Sequence, residues 1–389
     1  MAGFQTMDSI INALSQGQRF RADWNKNFLP TTAGTAGQWA CLARGAGQPG
    51  ADALYNTGTN LLFQPVYDIT TNNSGILHGG NVAPSYKSII NANAYTAAAT
   101  VAPCVMMLID LIGFYRFTTV TTTTAQSTTN TLMAFATTVC SVNNILTNTS
   151  TGSNVAINLF PYTRVQFTTT GTLPTGLSTS TNYYVIKLTD TTISVASSYA
   201  NAVAGTAVSI TSGTGSGVHT LNTLLPRYTS GAGVQAMMFN TNATPLGAAT
   251  PNLSIGYTNS AQTGSRATPT VLPIGKTGAE NGMIIYSGTG SGKYGPAMPL
   301  QAGDSGIAEV DTITCATSYV SGEFSVALYV PLLVLPITTL GVASERDLLN
   351  QVPSLPRVYD GANLQWLMYQ GAAVPTNSSI VGALEFVWN

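Results

Sequence analysis

From about residue 31 onward, apolar and polar positions alternate in short runs. Leu253, Ile255 and Tyr257 alternate with Asn252, Ser254 and Gly256, and Ala308, Val310 and Thr312 alternate with Glu309 and Asp311. A period of two puts each set on one face of a strand. The same reading places Ile380, Gly382, Leu384, Phe386 and Trp388 on one face of a last strand, so this segment is expected inside the fold. The runs are rich in Val and Thr, whose branched side chains fit a pleated surface, and clusters of Gly, Asn, Pro and Ser separate them. The pattern predicts a mainly β chain with an antiparallel sandwich or jelly-roll-like body.

Helical signals stand at the two ends. Asp8 is placed to cap a helix over residues 8–15 that carries Ile10, Ile11 and Leu14 on one face and stops at Gly17. Phe20, Trp24 and Phe28 then recur every four residues, which predicts a second helix ended by Pro30, with Arg19, Arg21, Asp23 and Lys26 between the rings. Late in the chain, Ser344 is placed to cap a short helix through Glu345, Arg346, Asp347, Leu348 and Leu349, which Pro353 and Pro356 prevent from continuing. A short N-terminal helix is marginal alone and must dock on something. We therefore assign Ile10, Ile11, Leu14, Phe20, Trp24 and Phe28 as candidate intersubunit contacts; the alternative is that the arm folds back on its own body.

Composition sharpens the picture. Charged residues make up 7% of the 389 residues, hydrophobic ones 44%, and the net charge is -1. An average soluble protein is roughly a quarter charged. Disorder requires the opposite combination of low hydrophobicity and high net charge. The best apolar runs, 105–115 with Asp110 inside and 326–337 with Pro331 and Pro336 inside, fall short of the ~20 residues of a spanning helix. Met1-Ala2-Gly3-Phe4-Gln5 opens without a basic region and an apolar stretch, so no secretory signal is expected. The 14 Lys and Arg are scattered, which argues against direct nucleic-acid binding. What remains is a folded chain with a Thr, Ser, Asn, Gly and Ala surface, suited to life inside an assembly.

The length allows more than one domain. Residues 133–222 carry only Arg164, Lys187 and Asp190 as charged side chains and are bracketed by Thr131-Leu132 and Thr223-Leu224. Strand signals recur inside, at 165–167, 183–188, 193–195 and 208–210. The expected organisation is an arm over 1–30, a main β domain over 31–132 and 223–389, and an inserted β module over 133–222.

Few residues carry candidate chemistry. Cys41, Cys104, Cys140 and Cys315 are widely spaced and form no CxxC pair, so they read as small buried thiols. Gly303-Asp304-Ser305-Gly306 imitates the surroundings of a nucleophilic serine, but only His78 and His219 are available as a base and neither has the usual neighbours; a turn between strands is the simpler reading. Gly290, Gly292 and Gly295 match GxGxxG, yet Pro296 and Pro299 remove the helix that a dinucleotide site needs. Asp304, Glu309 and Asp311 are a weak calcium candidate, and a solvated acidic strand is preferred. Trp24, Trp39, Trp366 and Trp388 read as core anchors rather than sugar platforms. No catalytic residue, cofactor or metal site is assigned.

A resemblance adds to this reading. Gly171-Thr-Leu-Pro-Thr-Gly-Leu-Ser, Thr181-Asn-Tyr-Tyr-Val-Ile, Ala200-Asn-Ala-Val-Ala-Gly-Thr-Ala and Gly213-Thr-Gly-Ser-Gly-Val-His-Thr-Leu221 resemble a β-module that recurs in the capsid, tail and decoration proteins of tailed bacteriophages. Residues 341–361 are similar to phage virion structural proteins. The module covers about an eighth of the chain, and the resemblance implies a virion component made in the host bacterial cytoplasm, with no catalytic residues. No segment matches the long charged spine helix of the usual shell-forming fold, which favours a capsid-associated cement or decoration protein over the major capsid protein. A tail, collar or fibre component is the alternative, though neither heptads nor a regular repeat is present. A carbohydrate-binding adhesin or a hydrolase fits less well, because a glycosidase needs a placed pair of carboxylates. The expected partners are other copies of the chain, trimeric if it sits on local threefold positions, and the major capsid protein; neither nucleic acid nor membrane is expected.

Overall fold

The computed structural model describes residues 6–28, 36–51, 63–67, 75–83, 85–117, 161–189, 192–210, 219–240, 252–268, 296–315 and 324–389, with single positions and two- or three-residue strands between them. Antiparallel sheets dominate these residues, and a short helix, α1 (Met7–Ser15), precedes them. The mainly β, sandwich-like expectation holds.

The first sheet runs in the order Ser344–Asp347, Lys87–Tyr95, Ser379–Trp388, Arg19–Asn27, Gly47–Gln48. The second has Phe324–Ile337 and Cys104–Phe117 at its centre, flanked by Gln235–Asn240 and Leu364–Gln370. The main core lies between them. Trp24, Ile89, Leu384 and Phe386 of the first sheet join Met106, Leu108, Leu328 and Trp366 of the second in one cluster. Trp24 and Trp366 meet across the layers with ring centroids 5.2 Å apart. A third sheet, centred on Asn252–Asn259 and Ile307–Cys315, extends this core with Ile255, Tyr257, Val310 and Ile313.

The second sheet is buried on both faces, since Ile109, Leu111, Ala327, Tyr329 and Leu367 form a separate cluster on its other side. That explains why its strands are continuous apolar runs in the sequence: a strand covered on both faces has no reason to alternate. Pro331 and Pro336 sit in the half of Phe324–Ile337 that extends past the pairing with Gln235–Asn240, where a missing N–H is tolerated. No helix among the described residues is long and apolar enough to cross a membrane.

A fourth sheet is built only from strands between Ala134 and Thr223, with Arg164–Thr169 paired to both His219–Thr223 and Tyr183–Lys187. Its cluster, which includes Leu159, Val165, Phe167, Val185, Val195 and Leu221, draws on no residue of the main core.

Several local expectations are corrected. The α1 cap is Thr6, not Asp8: Thr6 Oγ1 accepts from the Ser9 backbone N–H at 3.2 Å, and Ser9 Oγ returns a bond to the Thr6 carbonyl. Gly17 ends the helix with φ +75°. The second helix does not exist. Arg19–Asn27 is a strand paired with Ser379–Trp388, and a spacing of four, being a multiple of two, suits one face of a strand as well as a helix. Trp24 and Phe28 therefore point into the core, as does Lys26, whose ammonium donates to the carbonyls of Ala43, Gly45 and Gly50 at 3.2, 3.1 and 2.9 Å. Ser344–Asp347 is likewise a strand, and only Leu348–Gln351 is helical, capped by Asp347. Cross-strand pairing with residues 91–94 outweighs the local helical preference there. Residues 208–210 form no strand, although Val208 donates its N–H to Val195 O. Finally, two register shifts alter the face of Ile307–Cys315, so that Ile307, Val310 and Ile313 are fully buried and Ala308 and Thr312 are not. Each bulge inserts one residue and inverts the alternation after it.

Candidate interaction surface

The turn that imitated the surroundings of a nucleophilic serine is tied down by hydrogen bonds. Asp304 of the Gly-Asp-Ser-Gly turn receives hydrogen bonds from Tyr257 Oη at 2.6 Å, Asn259 Nδ2 at 2.7 Å, and Arg266 Nε and Nη2 at 2.9 and 3.0 Å. The Arg266 guanidinium above all, then the Tyr257 hydroxyl, hold its carboxyl down at about 2. Gly306 of the same turn is pressed against backbone, where a Cβ would stand 2.1 Å from Gly231 O. Ser305 Oγ lies 2.8 Å from Ser260 Oγ, not against a histidine. Asp311 accepts from Thr258 Oγ1 at 3.2 Å, and burial raises its pKa. Among the described residues no three His, Cys, Asp or Glu side chains gather as metal ligands. The GxGxxG segment lies outside the described residues, as do the side chains of Cys140 and Cys315. Cys41 and Cys104 are buried, and burial pushes the Cys104 thiol up to about 12. His78 Nδ1 lies 2.8 Å from Nζ of the buried Lys87. His219 Nδ1 lies 2.8 Å from Thr169 Oγ1.

The six candidate contact residues separate into two groups. Trp24 and Phe28 are buried in the main core and Phe20 packs against it. Ile10 is buried in a small cluster with Ala13, Ile90 and Val387, where Leu14 and Phe4 pack at the margin. Ile11 points away from the body with 57% of its surface exposed. Met7, one turn earlier, is 45% exposed. The arm thus docks on its own sheet through one face and leaves Met7 and Ile11 on another.

Beside α1 runs an open groove of about 460 Å³ between the helix and the segment 349–357, with Leu349, Val352 and Leu355 on the far wall and Phe4, Met7 and Ile10 on the near one. Among the described residues that line it, Arg357 is the one charged side chain. That guanidinium is clamped between the rings of Tyr86 and Tyr359, 3.8 and 4.0 Å from their centroids. Stacking leaves its N–H edges free to meet an acceptor. Sequence reading missed this group because Tyr86 and Tyr359 lie far apart in the chain and no spacing connects them.

No family model matches the chain, and no curated protein matches it. Among solved structures, the chain aligns with an infectious bursal disease virus VP2 subviral particle at 8% identity and a TM-score of 0.18, covering 95% of this chain and 80% of that one. It aligns with the Gx strain of the same virus at 10% identity and a TM-score of 0.17, covering 95% and 81%. Likenesses at these scores carry no argument about fold or function.

Proposed function

We propose that the chain is a structural component of a bacteriophage virion, a capsid-associated cement or decoration protein that acts by symmetric assembly with copies of itself and with the shell protein, and not an enzyme. The observation that carries the reading is the segment 171–221. The residues that resemble the recurring phage β-module supply three of the strands of a sheet with its own apolar core, set beside a body of different composition. The use of charge supports it. In the body, Asp304 with Arg266 and Asp110 with Arg227 are spent on fixing loops and strands, and a chain only 7% charged has little charge left for its surface. Such a surface associates through many weak contacts multiplied by symmetry. The test is to purify particles by density gradient and quantify the chain by mass spectrometry. A fixed, symmetry-compatible copy number relative to the shell protein is expected; absence from the particle band would overturn the proposal.

A further inference from the structure

Resting on that assembly reading, we infer that the groove beside α1 is an interface for a second copy of this chain, with Asp8 of each protomer closing on Arg357 of the other. Charge is the first reason. Five other guanidinium groups among the described residues are engaged: Arg21 with Asp23 and Glu385, Arg227 with Asp110, Arg266 with Asp304, and Arg164 and Arg346 with backbone carbonyls. Arg357 is held rigidly by two tyrosines and, among the described residues, makes no ion pair and shares its groove with no other charged side chain. In a chain only 7% charged, a preorganised cation of this kind calls for a carboxylate on the occupant.

The second reason is the face that α1 presents. Met7 and Ile11 are exposed apolar side chains one turn apart, and Asp8, also exposed, is three residues from Ile11 on the same side of the helix. An apolar pair with one acid is the complement of an apolar groove with one cation. The third reason is adjacency. A two-fold contact uses the same patch on both copies, so groove and inserting face must lie side by side on one protomer. Met7 belongs to both, being exposed on the helix and a wall of the groove. Burying Met7, Ile11, Leu349, Val352 and Leu355 supplies the apolar part, while the paired Asp8–Arg357 contacts fix the register.

The test is a charge swap read by light scattering after gel filtration of the full chain. The wild type is expected to associate, Arg357→Glu and Asp8→Arg each to weaken association by about tenfold or more, and the double swap to restore it. Ile11→Ser, at a position 57% exposed in the protomer, should weaken it as well. Unchanged far-UV circular dichroism identifies each variant as folded. A monomeric wild type, single variants that associate like the wild type, or a double swap that fails to recover would each overturn the inference. Particle incorporation separates it from the broader proposal. A wild type that is monomeric alone but present in virions leaves the assembly reading standing and removes the interface. Self-association through Asp8 and Arg357 by a chain absent from virions does the reverse.

Discussion

Arg227 closes on Asp110 with two hydrogen bonds, Nε to Oδ2 at 3.0 Å and Nη2 to Oδ1 at 2.7 Å, and neither side chain reaches solvent. The guanidinium completes its shell with the carbonyls of Val66, Leu111 and Gly361, and Asp110 Oδ1 also accepts from the Asn363 backbone N–H. The pair joins the segment that follows the fourth sheet to the centre of the second.

Breaking it strands a charge in the core. Arg227→Met or Asp110→Leu, made singly, is expected to cost about 3–5 kcal/mol of unfolding free energy, because the remaining ion has no replacement partner. The double change should cost less than the sum of the singles. Urea titration of the three variants measures both quantities.

Asp304 gives the fold an acid-sensitive joint. Its folded pKa of about 2 lies below the ordinary carboxyl value near 3.9. The stabilisation is therefore complete above about pH 4 and is lost as pH falls through about 2. In Asp304→Asn, the urea midpoint should be lower at pH 5 and should fall less steeply between pH 4 and pH 2 than in the wild type.

The beginning of the chain divides at Gly17. Removing residues 1–17 takes away α1 and its small cluster but leaves Arg19–Asn27, so the β fold should persist while association weakens. Removing residues 1–28 deletes an inner strand of the first sheet together with Trp24 and Phe28, and that protein should not fold. Circular dichroism and thermal melting distinguish the two truncations.

How much of this was legible beforehand follows from what each element buries. Ile380, Leu384 and Phe386 alternate because one face of their strand meets the core, and the sequence reading put them there. Residues 105–115 and 326–337 do not alternate, because both faces are covered; their length, with Asp110 in one and Pro331 and Pro336 in the other, pointed away from a membrane helix. Phe20, Trp24 and Phe28 misled because a spacing of four satisfies both periodicities. The bulges in Ile307–Cys315 left no mark in the pattern that a reader would separate from ordinary alternation. Of the surface beside α1, Ile11 was named from the sequence, whereas Arg357 needed the fold to bring Tyr86 and Tyr359 to its two faces.

The fourth sheet invites a deletion. If residues 133–222 are a module added to the body, joining Leu132 to Thr223 with a short Gly-Ser linker should leave a cooperative melt and an intact first-to-second sheet core. Loss of the Tyr67 Oη bond to Tyr162 O and of the ring contact between Tyr67 and Tyr199 would cost the body some stability at the junction. An unfolded product would mean that these strands complete the main core.

Cryo-electron microscopy of intact particles tests the central claim most directly. Density into which the paired first and second sheets fit, repeated at symmetry-related positions on the capsid surface, is the predicted result. Particles that are complete and infectious with no density or peptide attributable to this chain would contradict it.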